Sequence, residues 1–453
     1  MRLRTVLIGF AFALTVLSLH AQPLIPVGLA SVDITPDKPM ALTGYGGRPA
    51  PYESVQQHIY AKAMVIGGDS QKPAVIITTD LIGFPLEFSD QLSIRLEKSG
   101  IKRDQLAVTA THTHTGPETG VLINISGKPL TADELHAVMR YREQLLDKLE
   151  QLVKSALADR MPSRIYYGKG QANFAMNRRM IENGKWVGFG KNDGPTEHDL
   201  PVLHIRDAKG NTRGILLNYA CHGTTLVPKH NYIHGDWMGD AQQILEQENP
   251  GAVAMVMIGC GADSDPQPRG EAEYTVQHGR TIATEVGRIL KNPMTSIKSV
   301  PRTSLERWPL EYDSIPSAET LWRRSTRKDV SGMQARNYLE TLTRGGRLET
   351  DHWYPIQVWT FGDDLTMVFL GGEVVVDYVH RMKRELGADK LWMNAYSNDV
   401  SCYIASARLY DEGGYEVDYS MAYYNKPSRF VRDTEEQIVQ NILRQVKSLR
   451  SKK

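Results

Sequence analysis

The 453-residue sequence is poor in cysteine, with three in all, at Cys221, Cys260 and Cys402. An odd number cannot all pair within one chain, so no disulfide framework accounts for the fold and stability has to come from a packed core. The composition allows one, since 41% of the residues are hydrophobic in a chain long enough to bury a large interior. Each cysteine stands beside a segment singled out below. They are read as small buried packing residues, with thiolate ligation of a metal as the alternative. Charge of one sign is also missing: Lys and Arg total 53 against 52 for Asp and Glu. With no basic run interleaved with aromatics, composition points away from nucleic acid as a partner. No apolar run approaches the ~20 residues needed to span a bilayer, and there is neither internal repeat nor low-complexity tract.

The amino terminus carries a targeting pattern. Met1-Arg2-Leu3-Arg4 supplies positive charge, Thr5 to Leu19 is apolar, and Ala21 offers a small residue for cleavage. Residues 1–21 are therefore read as a secretory signal peptide and 22–453 as one mature domain, secreted or periplasmic. Asn124-Ile125-Ser126 matches a glycosylation acceptor.

Chemistry concentrates where four apolar, strand-like runs end. Leu106 to Ala110 leads into His112-Thr113-His114-Thr115-Gly116-Pro117-Glu118, and Gly214 to Ala220 into Cys221-His222-Gly223. Ala252 to Ile258 leads into Gly261-Ala262-Asp263-Ser264-Asp265-Pro266, and Leu365 to Leu370 into Gly371-Gly372-Glu373. Two imidazoles two residues apart in extended chain point to one face and can reach one point. Polar groups delivered at successive strand ends describe a site at the carboxyl edge of a sheet. Asp80 ends another such run, Val75 to Thr79. Asp236 is read either as a group orienting a ligand imidazole or as the cap of a helix starting near Trp237.

Between the strands lie helical patterns. Thr131-Ala132-Asp133-Glu134 is a capping box opening a helix to about residue 160, and Thr434-Glu435-Glu436-Gln437 opens the last one. Further helices are expected over 238–248, 271–291 and 373–386. The alternation predicts an α/β fold, a mixed sheet core with flanking helices. The arginine-rich stretch 316–347 is read as a helical insertion, or as a lid meeting an acidic head group or sugar. Tyr410 to Glu416 is read as lining a pocket or as a surface turn.

The order Thr-His-Thr-His-Thr-Gly-Pro, His-Gly-Thr after a strand, a Gly-x-x-Ser loop, Gly-Glu and a Tyr-rich segment resembles the neutral/alkaline non-lysosomal ceramidases. Gly28 to Pro36 and Gly44-Tyr45-Gly46-Gly47-Arg48 look like that family's amino-terminal segment. The resemblance runs from about residue 28 to about 424. It implies a zinc-dependent amidase of sphingolipid metabolism acting on a small-molecule or lipid N-acyl substrate. By it, His112, His222, Glu373 and Tyr403 bind Zn2+, His114 and Arg178 lie at the substrate, and Ser264 is the nucleophile. Three or four nitrogen and oxygen ligands with an open position are what catalytic zinc requires.

The chain also departs from the pattern. The family's Gly-Asp-Val-Ser-Pro-Asn loop is replaced by Gly261-Ala262-Asp263-Ser264-Asp265-Pro266, with an extra aspartate before the proline. Two routes follow, attack by Ser264 or by a zinc-bound hydroxide; on the bland reading Ser264 only forms a turn or caps a helix. The full ceramidases carry a carboxy-terminal β-sandwich, which the resemblance does not find before Lys453. The rival readings are a zinc hydrolase of glycosides or esters on the same scaffold, and a binding protein without turnover.

Overall fold

In the computed structural model, which describes residues 23–48, 50–120 and 130–451, strands and helices alternate as the α/β reading requires. The segment read as a signal peptide and the Asn124-Ile125-Ser126 acceptor lie outside the described residues. Two sheets pack face to face. The larger has nine strands among the described residues, running Val253–Ile258, Thr212–Tyr219, Asp199–Asp207, Met161–Gln171, Ile25–Asp33, Tyr60–Ile66, Ala74–Thr79 and Leu106–Ala110, with Thr295–Ile297 beside Met161–Gln171. Each end is a parallel pair, Thr212–Tyr219 with Val253–Ile258 and Ala74–Thr79 with Leu106–Ala110. The strands between them pair antiparallel. The second sheet runs Arg302–Glu311, Asp351–Phe361, Leu365–Leu370, Leu391–Asn394.

Successive side chains of a strand point to opposite faces, and this alternation sorts the core. Leu216 faces the second sheet, sharing a cluster with Trp359, Met367, Phe369 and Trp392. Its neighbours Ile215, Leu217 and Tyr219 face the helices Asp236–Glu248 and Glu273–Lys291 through Trp237, Leu245, Ile282 and Val286. Val358, Val368 and Leu370 of the second sheet cluster with Ile438, Ile442 and Val446 of the helix Thr434–Ser451. Helix Ala132–Ala158 covers the other half of the large sheet, where Leu145, Leu149 and Val153 meet Val65, Val75 and Val108. Helix, sheet, sheet and helix form the layers, and no helix of the described residues is long and apolar enough to cross a membrane.

Local chemistry sets the helix starts. The Thr131 hydroxyl accepts from the Glu134 amide while the Glu134 carboxylate accepts from the Thr131 amide, the capping box of the sequence. One element differs from its pattern. The helix predicted from residue 373 begins at Asp377, and Glu373–Val374 is a strand paired in parallel with Tyr403–Ile404. Val374-Val375-Val376 is β-branched and stiff at χ1, which favours extended chain. The Glu373 amide accordingly donates to Cys402 O at 2.9 Å.

The insertion at 316–347 is a pair of helices, Ala318–Ser325 and Val330–Thr343, around Leu321, Ala335 and Tyr338. The Tyr338 hydroxyl donates to Asn425 O at 2.5 Å and Gln334 Nε2 to Lys426 O at 2.7 Å. The insertion thus braces the tyrosine segment that precedes the last helix.

Trp359 is fully buried between the sheets, with its indole N–H on Asp104 O at 3.2 Å. Trp359→Ala is expected to lower the free energy of unfolding by roughly 3–5 kcal/mol in denaturant titration. A loss below about 1 kcal/mol would mean that the sheet interface is not the main core.

Candidate metal centre and its cleft

The loops at the strand ends are stitched to one another by their backbones. His114 N donates to Gly223 O at 3.1 Å, His222 N to Ser264 O at 3.0 Å, Ala262 N to Val374 O at 3.2 Å, and Tyr396 N to Gly372 O at 3.0 Å. Two glycines make room for this. A Cβ on Gly261 would stand 2.4 Å from the Ala220 carbonyl carbon, and one on Gly44, at φ +93°, would strike the His114 ring at 2.6 Å. His112 itself has φ 57°, a left-handed conformation costing roughly 1–2 kcal/mol for a residue with a Cβ. The histidine pair therefore converges through a left-handed turn after the strand, not through strand alternation. Strain held at such a place points to function.

His112 Nδ1 lies 2.7 Å from Ile82 O, and His222 Nδ1 lies 3.1 Å from Gly261 O. A carbonyl can only accept, so in both neutral rings the proton sits on Nδ1 and the Nε2 lone pair points inward. Those Nε2 atoms face Glu373 Oε2 at 3.2 and 3.1 Å. His114 Nε2 lies 3.2 Å from His112 Nε2, and the three imidazoles form a group spaced to hold a metal ion. Burial raises the Glu373 carboxyl, and only protonated His112 and His222 would outweigh it and hold the group well below the usual carboxylate range; as neutral rings they turn lone pairs on it. Burial, then His112, drives His114 well below the ordinary imidazole value, and burial, then Arg178, lowers His222. Buried lone pairs meeting a buried carboxylate repel unless a cation lies among them, so the donor set fits a metal ion, and its nitrogen and oxygen composition fits zinc.

Tyrosines and charged side chains surround the cluster. The Tyr424 hydroxyl donates to Glu373 Oε1. The Tyr396 ring packs on His112 at 4.3 Å between centroids, with its hydroxyl buried and without a partner. Tyr403 stands beside Glu373 in the strand register, and its oxygen accepts from Arg178 Nη2 at 3.1 Å. Arg178 also donates to Glu416 at 3.1 Å and reaches Asp265 at 3.4 Å. Ser264 closes the turn from Gly261, its amide donating to Gly261 O at 3.0 Å, and opens the short strand Ser264–Pro266, paired with Ala175–Asn177. Its Oγ is buried without a hydrogen-bond partner.

A cleft of about 280 Å3 opens over this floor, lined by His114, Arg178 and Tyr403 together with Tyr45, Phe189, Thr224, Asp265, Arg269, Tyr415 and Tyr423. The structure thus brings together His112, His114, His222 and Glu373, sets Arg178 and Tyr403 in one wall, and leaves Ser264 beneath that wall. Asp80 does not join them: its oxygens take the Tyr60 amide and the Gln242 amide group. Asp236 is the first residue of its helix, whose N-cap is Gly235 without a side-chain cap; its carboxylate accepts from the Leu226 and Trp237 amides, and backbone carbonyls, not a carboxylate, orient the His112 and His222 rings. The cysteines are buried and outside the histidine cluster, and burial pushes their thiols up, which suits packing and not ligation. No residue of 316–347 lines the cleft. Sequence reasoning missed Tyr424, Tyr396 and Arg269, and the strands alone gave no signal for them, because all three reach the site from loops.

Two outcomes follow from this geometry. His112→Ala or His222→Ala is expected to abolish stoichiometric metal binding, measured by elemental analysis after dialysis; retention of one ion per chain would remove that residue from the ligand set. Burial raises the Asp263 carboxyl to about 7, against about 3.9 in an unfolded chain. A raised folded-state value means that stability present at low pH is lost as pH climbs through that window, since only the unfolded chain releases the proton. Asp263→Asn should flatten the fall in thermal midpoint between about pH 4 and about 7; an unchanged slope would show that Asp263 is ionised in the folded protein.

A family model described as "Neutral/alkaline non-lysosomal ceramidase, N-terminal" matches residues 26–259. This span holds His112, His114, Arg178 and His222 and ends before Ser264, Glu373 and Tyr403. The neutral ceramidase of Pseudomonas aeruginosa is 24% identical over 233 residues, 49% of this chain and 33% of that protein, so the match spans about a third of the relative's length. The crystal structure of neutral ceramidase from Pseudomonas aeruginosa superposes with a TM-score of 0.71 at 19% identity, covering 95% of this chain and 75% of that one. A ceramidase complexed with C2 gives 0.68 at 18% identity, covering 92% and 74%. With half of its length under the family model and the fold shared throughout, the chain belongs to the neutral/alkaline non-lysosomal ceramidase family.

Proposed function

We propose that the protein is a zinc-dependent hydrolase cleaving the N-acyl amide bond of ceramide or a related N-acyl lipid. The observation that carries the reading is the meeting of His112 Nε2, His222 Nε2 and Glu373 Oε2 at 3.1–3.2 Å beneath an open cleft, in a chain of the ceramidase family. His112, His222 and Glu373 hold the ion, and Tyr403, adjacent to Glu373, completes the set. When bound, zinc supplies Lewis-acid polarisation of the scissile carbonyl and acidification of water.

The chain's own residues do the rest. His114, at the cleft floor and uncharged through burial, hydrogen-bonds the reacting amide. Arg178, charged and fixed by Glu416 and Asp265, meets the developing negative charge on the carbonyl oxygen or the head group. Ser264, buried beneath the cleft wall, offers the hydroxyl for attack, its proton leaving to a base that the bound substrate or water would bring within reach. The amino-terminal pattern of residues 1–21 supports export. A second reading, hydrolysis of a glycoside or ester, draws on the Asp265–Arg269 ion pair in the cleft wall, which suits a polar substrate.

The test is fatty-acid release from a short-chain ceramide by purified protein, with zinc measured on the same sample and a chelated control, alongside aryl ester and aryl glycoside substrates. About one zinc per chain with chelator-sensitive amide cleavage is expected. Zinc without amide release, but with ester or glycoside turnover, would overturn the amidase reading. Ser264→Ala is expected to keep the zinc and lose about a thousandfold or more in kcat; near-normal turnover would assign attack to water.

A further inference from the structure

A second pocket, of about 450 Å3, shares no lining residue with the metal cleft. Its volume falls in the ~300–1,000 Å3 range of small-molecule sites. The helix Asp236–Glu248 contributes Asp240, Gln242, Gln243 and Glu246 to its wall, and the strand Tyr60–Ile66 contributes Tyr60 and Lys62. His234 joins them. Its carbonyl accepts from the Thr113 and Thr115 hydroxyls at 2.9 and 2.8 Å, which fixes this part of the wall against the loop of His112 and His114.

Three carboxylates and one ammonium stand in that wall, Asp80, Asp240, Glu246 and Lys62. The ammonium is already engaged: Lys62, 3% exposed, donates to Glu246 Oε1 at 2.6 Å and to Ala254 O at 2.8 Å. Asp80 is satisfied as well, each of its oxygens taking an N–H at 3.0 Å. Asp240 is not. It is 8% exposed, and its Oδ1 accepts from Gln57 Nε2 at 3.0 Å, while its Oδ2 is buried without a hydrogen-bond partner. Among the described residues no cationic side chain pairs with this carboxylate. A buried anion is costly unless a positively charged donor meets it, so the pocket calls for a cation.

The neighbouring groups decide which kind of cation. Among the described residues, the group spaced to hold a metal ion is His112, His114 and His222, and no carboxylate of this pocket belongs to such a group. His234 Nδ1 lies 3.0 Å from the Asp236 amide, which can only donate, so the neutral ring carries its proton on Nε2 and can donate there. Gln56 and Gln243 add exposed carboxamides, each with a donor and an acceptor. Hydroxyl groups on a small carbon skeleton match such a set. We infer that the pocket binds a hydroxylated primary amine as its ammonium ion, an amino sugar or an amino alcohol, with an N–H on Asp240 Oδ2 and hydroxyls on His234 and the carboxamides. Such binding is independent of hydrolysis at the metal centre.

Isothermal titration calorimetry of the full chain tests this, with glucosamine and serinol as the amines, glucose and glycerol as their uncharged counterparts, and calcium chloride for a bare cation. At least one amine is expected to bind, as a single molecule per chain and at least about tenfold tighter than its uncharged counterpart; the tighter of the two tells sugar from amino alcohol. That amine should raise the thermal midpoint of the wild type. Asp240→Asn keeps the shape and an acceptor for Gln57 but loses the charge, and is expected to weaken binding by about tenfold or more. Gln243→Lys brings an ammonium of the chain's own to the exposed side of the pocket and should weaken binding too, whether or not Asp240→Asn folds. No binding of either amine, equal affinity for amine and uncharged counterpart, or wild-type affinity in a folded Asp240→Asn or in Gln243→Lys overturns the inference. Calcium bound in place of the amines would make this a metal site and overturn it as well.

Discussion

The repulsion among His112 Nε2, His222 Nε2 and Glu373 Oε2 is the constraint on which the rest of the structure depends. All three residues are buried, and the far side of each ring is held by a carbonyl that cannot give up a proton. In water such a meeting would relax by rotation. Here each group arrives on a different strand end, and hydrogen bonds between the loops tie those ends together. Holding like partial charges at 3.1–3.2 Å needs a stiff frame, which two sheets packed through Trp359, Phe369 and Trp392 supply. Donor set and packed core are thus two parts of one arrangement: the core fixes the donors, and a cation among them would remove their conflict.

The frame was largely legible from residue order. Apolar runs ending in histidine, glycine or glutamate gave the strand ends, and a capping box gave the start of the longest helix, because these signals are local. Glu373 was legible as a strand-end carboxylate but not as a strand residue: its neighbours fit a helical spacing, and only its pairing with Tyr403 decides otherwise. The left-handed turn at His112 was hidden for the same reason, since it is imposed by contacts with Leu81 and Gly223. Tyr424 lies 51 residues from the glutamate it bonds. No periodicity reports a contact at that separation, and the braces that hold it, Tyr338 and Gln334, come from an insertion whose arginines had drawn the attention.

Charges around the cleft are paired and few are free. Arg178 is shared by Asp265 and Glu416, Arg179 by Glu412 and Glu416, and Arg269 is held by Asp265. Burying ions is costly unless they pair, and removing one member strands the other. The network therefore behaves as one unit. It fixes the three-stranded sheet that carries Arg178 and Phe189, linking the floor of the cleft to its rim.

That linkage gives the departure at Gly261 to Pro266 its meaning. Ser264 stands in register with Asn177, and its carbonyl accepts from the His222 amide at 3.0 Å. The extra aspartate, Asp265, stands in the cleft wall. Asp265 accepts from Thr224 at 3.1 Å and engages both Arg178 and Arg269. Burial would raise its carboxyl, but Arg178 and Arg269 outweigh burial and keep it ionised. A fixed anion between two guanidinium groups selects for hydrogen-bonding head groups and against apolar ones. Where this chain differs from the family pattern is thus a charged part of the cleft wall, set above the buried histidines and Glu373.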